Sequence, residues 1–384
     1  MKEYDKRKDA IRRYHSGEKI TSIVNSLGKT RPWFYNWLKR YQNRTDEETW
    51  YLDNSKAPKK KPTKIDIVLE QQILDIRKEL DGRNYSQIGA IAIQYEFHNK
   101  SLEPPPVWTI NRVISRHGLN KVTPKIKKNY NYPEAFISTH QMDLVGPRYI
   151  TGDGRFYSFN IIDVETHTCY TKPLRTKSSE EILLAIAEFW HEFGLPDALQ
   201  MDNELCFRGS NRYPRSFGSV VKFALSLGVA PVFIPIKEPW RNGIVEKFNN
   251  TYQKRFLKKK TFLNFEHLIQ ESKIFNEFHN AHHRYSVLQQ KTPNEASKLI
   301  GEQVLYNGNI HKQKDIKIDK GEVYYIRFIR SDLKLIIASE IFLVDKSLMY
   351  SYVVAEVNID NQCLVVRQNR EIKMIFPYIT PVDW

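Results

Sequence analysis

Cysteine is scarce in this 384-residue sequence, which contains only Cys169, Cys206 and Cys363. These residues are too far apart for a disulfide framework or a Cys-x-x-Cys metal site, so we expect ordinary buried thiols. No apolar run approaches the roughly 18 residues that a membrane helix requires. The first residues also lack the apolar core and the small-residue cleavage site of a secretory signal. We therefore expect a cytoplasmic protein with no membrane partner.

Acidic residues are outnumbered, with 44 Asp and Glu against 59 Lys and Arg, and the formal net charge is +15. Such an excess favours a polyanionic partner but says nothing about the fold. Residues 1–128 hold 27 Lys and Arg against 15 Asp and Glu, so this third of the chain carries +12 of the total. The length predicts two to four domains.

Residues 1–50 have the pattern of a helix-turn-helix domain. Helices are predicted over 4–15, over 20–27 and from Pro32 onward, with Gly28 at the turn and Thr30 as the N-cap of the third helix. The third helix would enter the major groove of DNA. A plain three-helix bundle with a solvated basic face fits the same pattern equally well. The candidate DNA contacts of this helix are Arg31, Lys39 and Arg40.

Residues 51–64 form a predicted basic linker, rich in Pro and Lys over 56–64. Helical spacing over 65–80, 85–97 and 107–117 then predicts a second, winged helix-turn-helix domain at 65–128. A basic segment, 121–128, leads into the next domain. The candidate DNA-facing residues of the third helix are Trp108, Thr109, Asn111, Arg112 and Arg116.

Residues 129–300 alternate between strand and helix patterns. The strands are predicted at 137–144, 156–164, 168–174, 198–201 and 231–234, and the helices at 178–193, at 217–227 and from 243 onward. Three strands followed by helix, strand, helix, strand and helix is the order of a ribonuclease-H-like α/β core. Repeated β-branched and aromatic runs in 301–384 predict a small C-terminal β-barrel. The expected fold class is therefore multidomain α+β.

Three acidic residues stand where the predicted core would bring them together. Asp143 and Asp202 end the first and fourth strands, and Glu246 lies in the first turn of the long helix. Two hard cations about 3.5 to 4 Å apart can activate an attacking oxygen and stabilise a leaving one, and such cations take oxygen ligands. Any one of these acids alone is better explained as a helix cap or a surface ion pair. Jointly, they predict a two-metal site for phosphodiester chemistry.

These residues carry a resemblance to the retroviral-integrase-like (DDE) catalytic core of bacterial insertion-sequence transposases. It covers roughly residues 136–300, and its most specific part is 239–249, which is similar to the family's Pro-x-x-Asn-Gly-x-x-Glu block. The resemblance implies that Asp143, Asp202 and Glu246 are catalytic and hold two Mg²⁺ or Mn²⁺ ions. It also implies that basic residues after the glutamate, here Lys247, Lys254 and Arg255, hold the DNA end.

The chain departs from the family pattern at two places near Asp202. Glu204 replaces the glycine that usually follows, and it is a rival metal-site carboxylate for which we favour a supporting role. The spacing of 44 positions from Asp202 to Glu246 exceeds the common family value, which implies an insertion at 207–218. Its Gly, Ser and Pro content predicts a loop, either solvated or in contact with DNA. The candidate contacts are Arg208, Arg212 and Arg215.

Three histidines close to one another in the sequence, His279, His282 and His283, suggest a zinc site. This hypothesis is weaker than the carboxylate site, because no cysteine lies near them in the sequence. The closing block at 280–293 resembles that of the family only in part. Tyr285 replaces an expected histidine, whereas Thr292-Pro293 matches.

The residues and the resemblance together predict a transposase or integrase that cleaves the 3′ ends of a mobile element and joins them to target DNA. It would be a DDE-type polynucleotidyl transferase. Its partners would be double-stranded element ends, target DNA and further copies of itself on DNA, associated with a prokaryotic nucleoid. The alternative is a catalytically inactive DNA-binding regulator derived from a transposase. The terminal repeat, target preference, oligomeric state and activity of this copy are not encoded in any visible pattern.

Overall fold

A computed structural model of the chain describes residues 2–46, 49–56, 65–120, 132–133, 138–212, 215–308 and 316–381. The chain divides into two compact units, Met1–Ile65 and Asp66–Trp384. Most of the predicted basic linker (57–64) and the whole basic segment 121–128 lie outside the described residues. Within the described ranges, no helix is long and apolar enough to cross a membrane.

The first unit contains the three helices that the sequence predicts. They are α1 (Glu3–His15), α2 (Ile20–Leu27) and α3 (Arg31–Gln42). Gly28 ends α2 with a left-handed φ of 64°, and the Thr30 hydroxyl accepts a hydrogen bond from Trp33 N to cap α3. Apolar residues of all three helices, including Ile11, Ile23 and Phe34, form one core. That these helices bind DNA stays a prediction.

The second unit begins with three more helices. They are α4 (Ile67–Gly82), α5 (Ala90–Asn99) and α6 (Val107–Arg116). The prediction that α5 begins at Tyr85 is wrong. Tyr85 has a φ of 65°, which a right-handed helix does not allow, and its ring packs edge-on against Phe275 and Phe278. Packing against the core has therefore overridden the local helical pattern. The wing predicted after α6 would lie in 121–131, outside the described residues.

The elements that follow build the predicted catalytic core. They are β1 (Thr139–Ile150), β2 (Gly154–Asp163), β3 (Cys169–Leu174), α7 (Ser179–Phe193), β4 (Ala198–Met201), α8 (Leu205–Arg208), α9 (Ser219–Ser226) and β5 (Ala230–Phe233). The strands lie in the order β3-β2-β1-β4-β5. The first three pair antiparallel, and β4 and β5 run parallel to β1. This arrangement confirms the ribonuclease-H-like α/β sheet.

The rest of the unit adds helices and a second set of strands. They are α10 (Gly243–Tyr252), α11 (Phe265–His282), α12 (Pro293–Ser297), β6 (Glu322–Phe328), β7 (Lys334–Ile337), β8 (Glu340–Leu343), β9 (Tyr352–Asn358), β10 (Cys363–Gln368) and β11 (Glu371–Pro377). A 3₁₀ turn, Pro239–Asn242, precedes α10, and a π turn, Gln253–Leu257, follows it.

The C-terminal strands do not form the separate β-barrel that the sequence predicts. Strand β6 pairs in parallel with β5, so β6, β9, β10 and β11 extend the core sheet to nine strands, with β11 at its open edge. Strands β7 and β8 form a separate hairpin. Strand β6 pairs with β9 along its length and joins the core at Tyr324 and Tyr325, a link that local β propensity cannot indicate. The domain boundaries predicted at 128/129 and 300/301 remain predictions.

Two apolar layers cover the sheet. Helices α7 and α9 pack on one face around Trp190 and Phe223, whose rings stack with centroids 5.4 Å apart. Helices α10 and α11 pack on the other face through residues such as Phe248, Tyr252 and Phe275. The middle of the core sheet is therefore covered on both faces, and all four residues of β4 are buried.

A buried histidine predicts how stability depends on pH. His140 is 3 % exposed, and its Nδ1 accepts a hydrogen bond from Trp190 Nε1 at 3.1 Å. Burial lowers the pKa of His140 to about 4. The unfolded chain binds this proton near pH 6.5 and the folded chain does not, so stability is lost as the pH falls through this window. Between pH 6.5 and 4 we expect this residue to lower the free energy of unfolding by about 3 kcal/mol.

Denaturant unfolding at a series of pH values measures this effect. His140→Gln keeps an acceptor for Trp190 but does not titrate, so its stability should vary less with pH than that of the wild type. Replacing the exposed His98 with Gln is the matched control and should leave the slope unchanged. An identical slope in wild type and His140→Gln would contradict the assignment.

Candidate active site

Strand pairing brings the first two candidate carboxylates together. Strands β1 and β4 pair with Gln141 opposite Gln200, and the same register continued by two residues sets Asp143 opposite Asp202. Asp143 therefore lies beside Asp202, but inside β1, which continues to Ile150 and does not end at the predicted residue 144. The second strand ends at Met201, so Asp202 already belongs to the loop.

Side-chain amides fix the start of the third element, helix α10, to these strands. The Gln141 Oε1 atom accepts hydrogen bonds from Ile244 N and Val245 N, both at 3.1 Å. These are two of the amides that a helix N-terminus leaves without an internal partner. Asn242 Nδ2 donates to Met142 O at 2.8 Å, and Gln200 Nε2 donates to Asn242 Oδ1 at 3.2 Å. The first turn of α10, with Glu246, is therefore held at the carboxylate end of the sheet.

The three acids influence one another electrostatically. Burial raises the pKa of Asp143 to about 7, and the negative charges of Asp202 and Glu246 add to this rise. Burial also raises the pKa of Asp202 and of Glu246. The charge of Asp143 is thus destabilised both by lost hydration and by repulsion. A bound cation would remove that repulsion.

Two buried asparagines orient Asp143, and the sequence analysis missed both. Asn249, one turn after Glu246 on α10, donates from Nδ2 to Asp143 Oδ2 at 2.6 Å. Asn160, opposite Asp143 on β2, donates from Nδ2 to Asn249 Oδ1 at 2.6 Å. Leu144 N binds the other carboxylate oxygen at 2.8 Å. The spacing of three residues from Glu246 was the one available signal for Asn249, since it sets both on one helix face.

The chemistry of these donors fits a hard divalent cation, because all three are carboxylates. Within the ranges that the structure describes, however, no three carboxylate, histidine or cysteine side chains lie close enough together to hold an ion. The structure thus sets Asp143 beside Asp202 and brings Glu246 within electrostatic range, but it does not gather the three into a closed metal site.

Glu204, the rival carboxylate, is engaged by a lysine. Its two oxygens accept hydrogen bonds from Lys177 Nζ at 3.2 and 3.0 Å, and its backbone N–H donates to Asp202 Oδ1 at 2.9 Å. The Cys206 thiol also donates to it at 3.4 Å. Glu204 therefore orients Asp202 through its backbone while its own charge is balanced by Lys177.

The first two residues of the predicted insertion at 207–218 belong to helix α8. Phe207 is fully buried at the end of α8, and Gly209 and Gly218 close the base of the loop. A Cβ atom on Gly209 would meet Gly218 N at 2.6 Å, so these glycines permit close backbone contact.

The arginines of this loop differ in their surroundings. Arg215 forms a two-pronged ion pair with Glu340, at 2.8 and 2.9 Å, and lies over the Tyr378 ring. Arg208 donates from Nε to Asn203 O at 3.1 Å, and Arg212 is exposed. Arg215 is thus bound to the C-terminal hairpin, whereas Arg212 faces solvent.

The basic residues after Glu246 border a groove of about 580 Å³ between α10, residues 87–89 and residues 285–287. Lys247 and Lys254 are exposed on its wall. Arg255 also lines the groove, but its guanidinium forms an ion pair with Asp81 of α4 at 2.7 Å. The groove therefore offers two exposed lysine ammonium groups beside the helix that carries Glu246.

The candidate DNA contacts of the N-terminal helices also differ in exposure and in their hydrogen-bond or ion-pair partners. Arg31 and Lys39 of α3 are exposed, whereas Arg40 donates to Leu52 O and Asn54 Oδ1 and stacks on Trp37. On α6, Arg112 is exposed and lies near the Trp108 ring, whereas Arg116 forms an ion pair with Glu70 at 2.8 Å. Only Arg40 of the five is half-buried, and Arg116 is exposed but paired with Glu70.

The histidines of the zinc hypothesis take part in packing. His279 Nδ1 lies 2.9 Å from the Cys169 thiol, and its Nε2 lies 2.8 Å from the Tyr285 hydroxyl. His283 Nε2 lies 2.7 Å from Tyr85 O. Both histidines are buried, and burial lowers the pKa of each. Both ring nitrogens of His279 and the Nε2 atom of His283 thus already have partners in this structure.

Known proteins resemble this chain in part of its sequence and in its fold. The chain matches no curated protein sequence. Among solved structures, it is similar to the HTLV-2 integrase catalytic core domain in complex with magnesium, at 15% identity and a TM-score of 0.32, over 41% of this chain and 94% of that one. It is also similar to the simian T-cell lymphotropic virus intasome, at 11% identity and a TM-score of 0.37, over 75% of this chain and 95% of that one. We draw no functional conclusion from likenesses at this level. Residues 227–293, the segment that contains Glu246, match the family model described as "Integrase core domain".

Proposed function

We propose that this chain is a DNA transposase or integrase that cuts and joins DNA strands with two divalent metal ions. One observation carries the proposal: half-buried Asp143 lies opposite Asp202, beside the point at which the helix of Glu246 is fixed to the sheet. The family match over residues 227–293 supports the same reading. A carboxylate site of this kind costs folding energy, and such costs are typical of functional sites.

In this proposal Asp143, Asp202 and Glu246 hold two Mg²⁺ or Mn²⁺ ions. Bound there, the ions would activate the attacking oxygen and stabilise the leaving oxygen of a phosphodiester. Hydrogen bonds within the protein position the carboxylates. Asn249 and Leu144 N hold the Asp143 carboxylate, and Gln141 holds the helix of Glu246. Glu204 N–H holds Asp202. The reaction requires no covalent intermediate with the protein.

The exposed cations would provide the DNA contacts. Lys247 and Lys254 border the groove beside α10, and a DNA end bound there would bring its phosphates near the candidate active site. Arg31, Lys39 and Arg112 would supply further phosphate contacts. Each neutralised phosphate releases condensed counterions, so binding should weaken steeply with salt.

Among the loop arginines, Arg212 is the strongest candidate for a phosphate contact, because it is exposed. Arg208 would add to it with the guanidinium nitrogens other than Nε, whereas DNA would have to compete with Glu340 for Arg215. Because two DNA ends must be cut and joined together, we also propose that the chain acts as a homo-oligomer on DNA.

A strand-transfer assay tests this function against the alternative of an inactive regulator. The full-length chain is incubated with DNA from its own flanking inverted repeats, a supercoiled target plasmid, and Mg²⁺ or Mn²⁺. We expect 3′-end cleavage products and joined products that require the metal. Specific binding of the repeats without any cleavage, in either metal and over a range of pH, would instead favour the regulator.

A further inference from the structure

The C-terminal strands contact both loops that carry the candidate active site. Strand β6 lies beside β5, with Phe233 opposite Tyr325, and the loops after β4 and β5 emerge next to it. The first loop carries Asp202, and the second leads through the 3₁₀ turn to Glu246. One side chain from the C-terminal strands reaches into each loop.

Arg327 of β6 reaches the loop of Asp202. Its side chain is 5 % exposed, and the hydrogen bonds that its guanidinium makes within the described residues all go to neutral oxygens. It donates to Asn203 Oδ1 at 2.7 Å and to Ile234 O at 3.0 Å. It also donates to Ile336 O at 2.9 Å and to Ile326 O at 2.9 Å. Burying a cation among neutral oxygens costs free energy. The rigid guanidinium of Arg327 therefore links β6 to the loop of Asp202 through several fixed hydrogen bonds.

Tyr352 of β9 reaches the turn before Glu246. Its hydroxyl accepts a hydrogen bond from Arg241 Nη2 at 2.8 Å and donates to Glu238 Oε2 at 2.7 Å. The Arg241 guanidinium also lies over the Tyr132 and Tyr352 rings, 3.8 and 4.8 Å from their centroids. One hydroxyl thus closes a network around both ends of the turn.

The position of this turn determines where helix α10 begins relative to the sheet. Arg241 O accepts from Gln200 Nε2 at 3.1 Å, and the next residue, Asn242, is the one bound to Met142 O. The loop of Asp202 is similarly tied to β5, because Asn203 Nδ2 donates to Ile234 O at 2.7 Å. Arg327 thus binds the residue next to Asp202, and Tyr352 binds residues five and eight positions before Glu246.

We propose that Arg327 and Tyr352 are positioning residues, through which the C-terminal strands set the spacing of Asp202 and Glu246 for metal binding. This inference rests on the proposed function. It makes residues 322–358 part of the catalytic unit rather than an appended module. Neither residue touches DNA or metal in this proposal; each acts through the loop that it binds.

Hydrogen exchange followed by mass spectrometry tests the positioning directly and needs no activity. Tyr352→Phe keeps the ring and removes only the hydroxyl. We expect exchange in peptides covering 236–248 to accelerate about tenfold, the effect of losing roughly one net hydrogen bond. Tyr350→Phe, on an exposed tyrosine two residues away, is the matched control and should leave these peptides unchanged. Unchanged exchange in Tyr352→Phe would overturn the role of Tyr352.

Arg327 is tested in the same way through the other loop. Arg327→Lys keeps the charge but cannot span the four acceptors, so peptides covering 202–208 should exchange faster. If this variant fails to fold, Asn203→Ala removes the same link from the loop side. Arg367→Lys, which alters an ion pair to Glu356 elsewhere in the C-terminal strands, is the control. Equal exchange in all these variants and the wild type would overturn the role of Arg327.

Metal binding separates positioning from general stability. In Mn²⁺ titrations by calorimetry we expect the dissociation constant to rise about tenfold in Tyr352→Phe and Arg327→Lys, at an unchanged affinity for DNA. The controls should bind Mn²⁺ as the wild type does. A wild type that binds no metal and joins no DNA would refute the proposed function. A wild type that does both, with variants of equal metal affinity, would refute only this inference.

Discussion

Asp143→Asn, Asp202→Asn and Glu246→Gln are each expected to reduce metal-dependent DNA cutting and joining at least about a thousandfold, or about 4 kcal/mol of transition-state stabilisation. Each replacement keeps the shape of the side chain and removes the negative charge that a divalent cation needs. Cutting and joining are measured on end DNA with Mg²⁺ and Mn²⁺, and DNA binding by a competition assay. Binding should change little, because the proposed phosphate contacts are cations elsewhere.

The stability of these variants distinguishes lost chemistry from lost folding. The Asp143 carboxylate is half-buried opposite Asp202, so its charge opposes folding when no metal is bound. Asparagine at this position removes the repulsion and still accepts a hydrogen bond from Leu144 N, but it turns an amide donor toward the Asn249 Nδ2 donor. Because the relieved repulsion and the lost hydrogen bond oppose each other, we expect Asp143→Asn to have a thermal midpoint close to that of the wild type in the absence of metal. An inactive variant with a clearly lower midpoint would leave the catalytic assignment unsupported.

Glu204→Gln is the matched control for the three carboxylates. The Glu204 side chain accepts from Lys177, and its contact with Asp202 is made by the backbone N–H, which the replacement keeps. We expect this variant to retain most of the wild-type activity. If Glu204→Gln is inactive while Asp202→Asn is active, Glu204 rather than Asp202 is the metal ligand.

The sequence predicted those parts of the fold that depend on local pattern. Strand β4 has the predicted bounds of 198 and 201, because a short run with three apolar residues out of four lies between a loop and a charged end. The N-cap at Thr30 and the helix from Gly243 were likewise readable from residue type and spacing. The end of β4 and the start of α10 were predicted correctly, whereas β1 continues six residues past its predicted end at 144, to Ile150.

What the sequence did not predict depends on contacts between distant residues. The pairing of β5 with β6 joins segments about 90 residues apart, and no local pattern specifies a parallel partner. Arg215 pairs with Glu340 over a separation of 125 residues, although its charge predicted a DNA contact. The amides that hold the site, such as Gln141 and Asn160, are ordinary polar residues in the sequence. Their role becomes visible only when their buried partners are known.

The second prediction with a large expected effect concerns where the chain can be cut into a fragment that still folds. The sequence predicts a domain boundary at 128/129. Tyr85, however, belongs to the apolar core between the sheet and helices α10 and α11. It is 5 % exposed, its hydroxyl donates to Glu271, and its backbone oxygen binds His283. Gln87 and Arg284 add two further hydrogen bonds across the same contact. Removing residues 66–128 would therefore expose an aromatic core.

We expect a fragment of residues 66–384 to fold and to retain metal-dependent activity, with a weaker preference for the element's ends because α3 is missing. A fragment of residues 129–384 should be less stable by at least about 3 to 5 kcal/mol, the usual cost of losing one large buried aromatic side chain. Tyr85→Ala in the longer fragment should reproduce much of that loss. Trp108→Ala, on an exposed aromatic residue of the same helices, is the matched control. Denaturant unfolding measures all four proteins, and a fragment 129–384 as stable as 66–384 would show that the helices at 67–116 are a separate domain after all.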